Sequence, residues 1–166
     1  MRLKILFIFY GGILALCLKL HAQDIGKYQI KWAITHPIAA IKVKKLYNRN
    51  IAVYHNIKKN KLLDTIECNG QLDAFRHAFF MACFAQRIKS KKLKKLGIAH
   101  EKDNAYLSKK HIIEFSEVVD SASTNMDLYN NEIGINFGKR YPKLPVAQIK
   151  DSIIFYIKEN KLIHIK

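Results

Sequence analysis

GQLDAFRHAFFMACFA, residues 70–85, is apolar on nearly every side once its residues are laid out at helical spacing. A helix of that kind has no face to offer water, so it belongs inside a domain with other elements packed around it. The spacing predicts this central helix from Leu72 to about Lys89. Three charged or titratable residues interrupt it. At about 100° per residue, Asp73 and His77 lie about 40° apart and Arg76 about 60° to the other side of Asp73, so all three share one face. The i to i+4 spacing lets Asp73 accept a hydrogen bond from His77, which fixes the ring tautomer and leaves the other nitrogen for a metal or a proton. Burying such groups is costly unless partners offset the lost hydration. Either a site or a self-satisfied network that pins neighbouring helices must surround them.

The flanking sequence reads as helices. Pro37 and Pro145 each suit the first position of a helix. From Pro37, Ile38, Ile41, Leu46, Ala52 and Val53 recur at helical spacing as far as Tyr54 or Ile57, with a break expected near Asn48–Asn50, where YNRN is poor helix sequence. KKNKLLDTIECNG reads as a connection, with Asn69 and Gly70 as turn punctuation. A shorter helix is expected from Lys92 or Lys95 to Asn104, and another from Ser108 to Val119 with Ile112, Ile113, Phe115, Val118 and Val119 inward. SAST supplies caps for a helix through NMDLYNNEIGINFG that Gly138 ends. A last helix follows Pro145, and KLIHIK is an extended tail or short strand. The fold class is all-α: a compact orthogonal bundle of five to seven helices around the central one, in a single domain over residues 23–166 with its motif core at about 70–138.

Two further polar groupings stand out. In AHEKDN, His100 and Glu101 point about 100° apart on a helix, so they can flank a site without both facing squarely into it. The spacing is not that of a zinc protease, because position 104 is asparagine. In NMDLYNNEIG, Asp127, Asn130 and Asn131 stand at i, i+3 and i+4 opposite Met126, Leu128, Ile133 and Ile135. Paired asparagines are poor helix formers, which suggests specific hydrogen-bonding duties or else a plain turn. Gly134 and Gly138, four apart, suit close helix packing better than phosphate binding.

DAFRHA, then HE, then MDLYNNEIG, in this order and spacing, resembles a bacterial family of unknown activity with the signature DAFRHA(Y/W), AHE and MDLxNNxxG. The resemblance covers roughly residues 30 to 160. It implies Asp73, Arg76, His77, His100, Glu101, Asp127, Asn130 and Asn131 as motif positions, and a secreted or surface-associated context, in some members within larger wall-associated or polymorphic proteins. Tyr129 stands where the family often has histidine, which removes a second imidazole there. Phe79 and Phe80 replace Tyr and Trp, a change expected to affect packing alone.

Outside this core, MRLKILFIFYGGILALCLKLHAQ has Arg2 and Lys4, an apolar run from Ile5 to Leu18 and a small residue at Ala22. That is the three-part pattern of an export signal cleaved near Ala22, and the run falls short of the roughly 20 residues that span a bilayer. An uncleaved anchor, or a lipoprotein modified at Cys17, is a weaker reading. Cleavage would remove three of 29 basic residues and none of the 13 acidic ones, leaving 26 against 13. Such a charge suits anionic partners outside the cytoplasmic membrane, namely phospholipid, lipopolysaccharide or cell-wall polymer. KSKKLKKLG, 89–97, lacks the aromatic or glycine pattern of a nucleic-acid code. Cys68 and Cys83 are expected to stay unpaired, because the helix from Leu72 separates them by roughly 16 Å against a limit of roughly 7 Å.

Two histidines with carboxylates and carboxamides match what a divalent metal such as zinc requires. The order also resembles that of helical HD-type phosphohydrolases, by analogy alone. On this reading His77, His100 and Asp127 bind the metal, Glu101 is the general base, Asp73 orients His77, and Arg76 holds an anionic substrate oxygen. The expected protein is a monomeric, metal-dependent hydrolase of a phosphoester or phospholipid. A metal-free His–carboxylate hydrolase of lipid or cell-wall bonds, and a non-catalytic envelope protein with a structural polar network, are the alternatives.

Overall fold

The computed structural model describes residues 26–109 and 120–165, which form six helices and, among the described residues, no strand. In chain order they are α1 (Lys27–Thr35), α2 (Pro37–Lys59), α3 (Gln71–Ala85), α4 (Ser90–Lys109), α5 (Ser121–Arg140) and α6 (Val146–Lys158). The segment read as a helix through Ile112, Ile113, Phe115, Val118 and Val119 lies outside the described residues, as does the segment read as an export signal. Ser108 and Lys109, expected to open that helix, belong to α4.

Helix α3 is the centre of the fold, as its all-round apolar surface requires: every residue from Leu72 to Phe84 except Arg76 is buried. Its closest partner is α5. Gly134 and Gly138 make that approach possible, because a methyl group on either would overlap the backbone carbonyl of Ala78 or Ala82. Gly138 therefore does not end α5, which runs on to Arg140 and stops at Tyr141. On the other flank α2 lays Tyr54 and Ile57 into the core and sets Tyr47 against Phe80 in a tilted contact, 4.9 Å between centroids. Phe75 and Phe79 stack within α3 at 4.9 Å.

Several boundaries differ from those the sequence suggests. Helix α2 is unbroken through Asn48–Asn50, because burial of the face carrying Asn50 and Tyr54 outweighs a weak local propensity. Helix α3 stops at Ala85, since the Gln86 amide turns away to donate to the carbonyls of Tyr141 and Leu144 at 2.8 and 2.9 Å. Helix α4 begins earlier, at Ser90. The cap of α5 is Asp120, whose Oδ1 accepts from the Ser123 amide at 2.8 Å, and not a residue of SAST. Pro145 caps α6 from just outside it.

Helix α1 carried no clear sequence signal, and its start is fixed from a distance. The fully buried Asp103 of α4 accepts from the amides of Tyr28 and Gln29, both at 2.9 Å, and so performs the capping that Gly26 has no side chain to supply. Asp64 does the same for α3, accepting from the Gln71 and Leu72 amides at 2.6 and 2.9 Å. Asn69 enters α3 at φ 65°, a left-handed turn that asparagine tolerates. The tail is extended but pairs with side chains rather than a strand: Ile163 donates to Asn130 Oδ1 at 3.0 Å and accepts from Asn130 Nδ2 at 2.8 Å. Cys68 and Cys83 are free, and burial pushes the Cys83 thiol up to about 12.

Candidate functional site

Three helices deliver the polar residues to one place. Helix α3 contributes Asp73, Arg76 and His77, α4 contributes His100 and Glu101, and α5 contributes Asp127 and Asn131. The glycine contacts that draw α5 against α3 also carry Asp127 to the ring of His77.

His77 is the hub. Its Nδ1 lies 3.2 Å from Asn131 Oδ1, and its Nε2 lies 3.2 Å from Asp127 Oδ1, 3.4 Å from Asp73 Oδ1 and 3.1 Å from an Arg76 guanidinium nitrogen. An amide oxygen only accepts, so Nδ1 is the donor to Asn131, and Nε2 is the ring atom that faces the carboxylates of Asp73 and Asp127 and the Arg76 guanidinium. Asn131 thus orients the ring at Nδ1, and Asp73, one turn earlier on α3 as the spacing suggests, meets it at Nε2 while itself held by the Asn69 amide at 2.8 Å and by the Arg76 guanidinium. Burial alone would raise the Asp73 carboxyl, but the bonds to His77 and the charge of Arg76 hold it well below the usual range.

The second imidazole is close. The rings of His77 and His100 are 5.9 Å apart between centroids, and His100 Nδ1 is 3.3 Å from the Gln29 amide nitrogen of α1. Burial, together with the charges of His77 and Arg76, depresses His100 to about 3, so it is a neutral ring at neutral pH whose Nδ1 accepts from the Gln29 amide.

The two remaining carboxyls behave oppositely to Asp73. Burial raises both Glu101 and Asp127 to about 7, and Asp73 and Glu101 add repulsion at Asp127. Glu101 Oε1 and Asp127 Oδ1 are buried without an aligned donor, Asn104 donates to Glu101 Oε2 at 3.4 Å, and the two carboxyls lie within hydrogen-bond reach of one another, where a shared proton would join them. Two buried carboxyl oxygens without donors constitute an unmet demand for positive charge or protons.

Two groups of ligand atoms come within 4.8 Å of one another: His77, His100 and Glu101, and Asp73, His77 and Asp127. They share His77. The trio His77, His100 and Asp127 that the sequence singled out is therefore divided between two overlapping clusters. His100 and Glu101, adjacent in sequence, both approach His77. Asn130 is not part of the cluster, since its amide is spent on the tail. Gln29 and Asn104 are members that sequence reasoning missed. Asn104 had a signal, its i+3 spacing from Glu101, whereas Gln29 reaches the site only because Asp103 draws α1 onto α4.

Access is partial. The Arg76 side chain keeps 35% of its exposure while Asp73 and His77 keep 4% and 5%. A cleft of about 190 Å³ between α4 and α5 has Asn131, Gly97, Leu128 and Ile135 among its walls and meets the cluster from behind. The larger depression, about 390 Å³, lies around Phe137 and Tyr156 and contains no cluster residue.

The chain belongs to the family described as "Domain of unknown function (DUF6973)", which matches residues 30–161. No curated protein and no solved structure matches it.

Proposed function

We propose that this cluster is the site of a metal-dependent hydrolase acting on an anionic ester. The observation that carries the reading is the pair of buried carboxyl oxygens, Glu101 Oε1 and Asp127 Oδ1, left without hydrogen bonds beside two imidazoles. A divalent cation held by His77, His100 and Glu101 would satisfy one of them and supply Lewis acidity at the substrate. Asp127, beside both His77 and Glu101 and titrating near neutrality, is then the group to take a proton from water as general base. This exchanges the roles that the sequence suggests for Glu101 and Asp127. Arg76, charged and half-open to solvent, presents its guanidinium to an anionic oxygen such as that of a phosphodiester. Asp73 keeps Arg76 and the Nε2 edge of His77 in place, and Asn131 sets the tautomer.

The chain's formal charge of +16 favours phospholipid or another polyanionic substrate, and the export-signal pattern at the N-terminus supports a setting outside the cytoplasmic membrane. Zinc and manganese titrations into the chelator-treated protein, followed by calorimetry, test the site. His77→Ala is expected to abolish binding, Glu101→Gln to weaken it at least tenfold, and Asp127→Asn to leave it within a few-fold while abolishing phosphodiester hydrolysis. Equal binding by parent and His77→Ala would overturn the metal site. Loss of binding in Asp127→Asn but not in Glu101→Gln would move the ion to Asp73, His77 and Asp127.

The elevation of both Glu101 and Asp127 to about 7 supports a second, metal-free reading, in which one carboxyl is protonated as acid and the other ionised as base. Hydrolysis that survives chelation and follows a bell-shaped pH profile would select it.

A further inference from the structure

We infer that the corner between α1 and α2 is a docking surface for an anionic lipid bilayer. The three most exposed large apolar side chains among the described residues fall together there: Ile34, Ile38 and Ile41 are 72%, 70% and 69% exposed. Ile34 closes α1, and Ile38 and Ile41 occupy the first turns of α2, the two helices meeting at His36. Their neighbours on the inward side of α2, Ala39, Ala40 and Val43, already pack on the core, so the isoleucines have no role in holding the fold.

Lysines frame this apolar group on both sides. Lys31 lies one turn before Ile34, and Lys42 and Lys45 lie one and four residues beyond Ile41, all exposed. Described residues of this region include no acidic side chain from Lys27 to Lys61. The N-terminal turn of α4, which begins inside the densest basic run of the chain, is tied to α1 by the Trp32 indole, which donates to the Lys92 carbonyl at 2.9 Å. Apolar side chains at the centre with lysines at the margin are the composition of a surface that sits in the headgroup region, the isoleucines reaching the acyl boundary and the lysines meeting lipid phosphates.

Charge selects the occupant. A second copy of the chain would set two lysine-framed faces against each other in a protein of net charge +16, whereas an anionic bilayer supplies the complement along the whole face. The inference is independent of the proposed reaction, since none of these residues belongs to the His77 cluster.

The test is sedimentation of the full chain with vesicles of phosphatidylglycerol and phosphatidylcholine, compared with phosphatidylcholine alone, at a lipid concentration that binds half of the parent protein. Ile38→Asp/Ile41→Asp is expected to lower partitioning roughly a hundredfold, about tenfold for each buried isoleucine. Lys42→Glu/Lys45→Glu is expected to abolish the preference for anionic vesicles. Phe155→Asp, at a position 52% exposed on α6, is expected to bind like the parent. Unchanged melting temperatures establish that the variants fold, as replacement of exposed side chains predicts. Partitioning unaffected by the corner substitutions, an equal loss in Phe155→Asp, or equal binding to neutral vesicles would each overturn the inference. So would a parent that sediments as a dimer without lipid while Ile38→Asp/Ile41→Asp is monomeric, which would give the face to a second copy.

Discussion

Asp127→Asn is expected to stabilise the metal-free protein at neutral pH, although it removes a buried charged group. Asp127 keeps only 10% of its side-chain exposure, and its Oδ1 has no aligned donor. The folded state raises its carboxyl from 3.8 to about 7, chiefly by burial and against the attraction of His77. A carboxyl raised on folding contributes most where it is protonated in both states, and that contribution is lost as pH climbs from about 4 through 7. Between pH 5 and 8 the loss covers two pH units at about 1.4 kcal/mol each, roughly 3 kcal/mol in the parent. The isosteric amide abolishes this titration, while Glu101, raised by burial in both proteins, keeps a slope of its own, so the gain of the amide variant over the parent should shrink from roughly 3 kcal/mol at pH 8 towards zero at pH 5. His100 has the opposite slope, since a ring depressed to about 3 destabilises the fold as pH falls below about 6.5, but it is common to both proteins and cancels in their difference. Urea denaturation of both proteins in chelator at several pH values is the assay. Parallel pH curves, or an amide variant less stable than the parent at pH 8, would show that the carboxylate is well compensated and refute the claim of an unmet demand for charge.

Gly138→Ala should destabilise by roughly 2–3 kcal/mol, because the added methyl meets the rigid carbonyl of Ala82 rather than a movable side chain; denaturant midpoints check this. Asp103→Ala should cost roughly 2 kcal/mol by uncapping the Tyr28 and Gln29 amides, and hydrogen exchange should show α1 fraying before α3.

How much of this was legible beforehand follows from the range over which each feature is determined. The burial of α3 was readable because an unbroken apolar circumference leaves a helix only one kind of surroundings, and that fixed the all-α class. The shared face of Asp73, Arg76 and His77 followed from helical geometry alone. The family signature joined them to His100, Glu101, Asp127 and Asn131. Local propensity misled wherever packing overruled it: Asn48–Asn50 lie inside α2, and Gly138 lies inside α5 because α3 presses on it there.

The sequence by itself determined that α3 is buried and which polar groups would need partners, because hydrophobic periodicity and the cost of desolvation act along the chain, but the periodic Ile38 and Ile41 of α2 turned out exposed. Only the tertiary structure decided how those groups are paired. Asn131 joins Asp73 in orienting His77, Asp103 caps a helix some 75 positions away, Asn130 holds the tail instead of the site, and Glu101 and Asp127, from different helices, come within hydrogen-bond reach of one another. Hydrogen-bond partners are chosen by distances of a few ångströms between helices, and those distances are set by small side chains at the crossing of α3 and α5, which no periodicity along a single segment records.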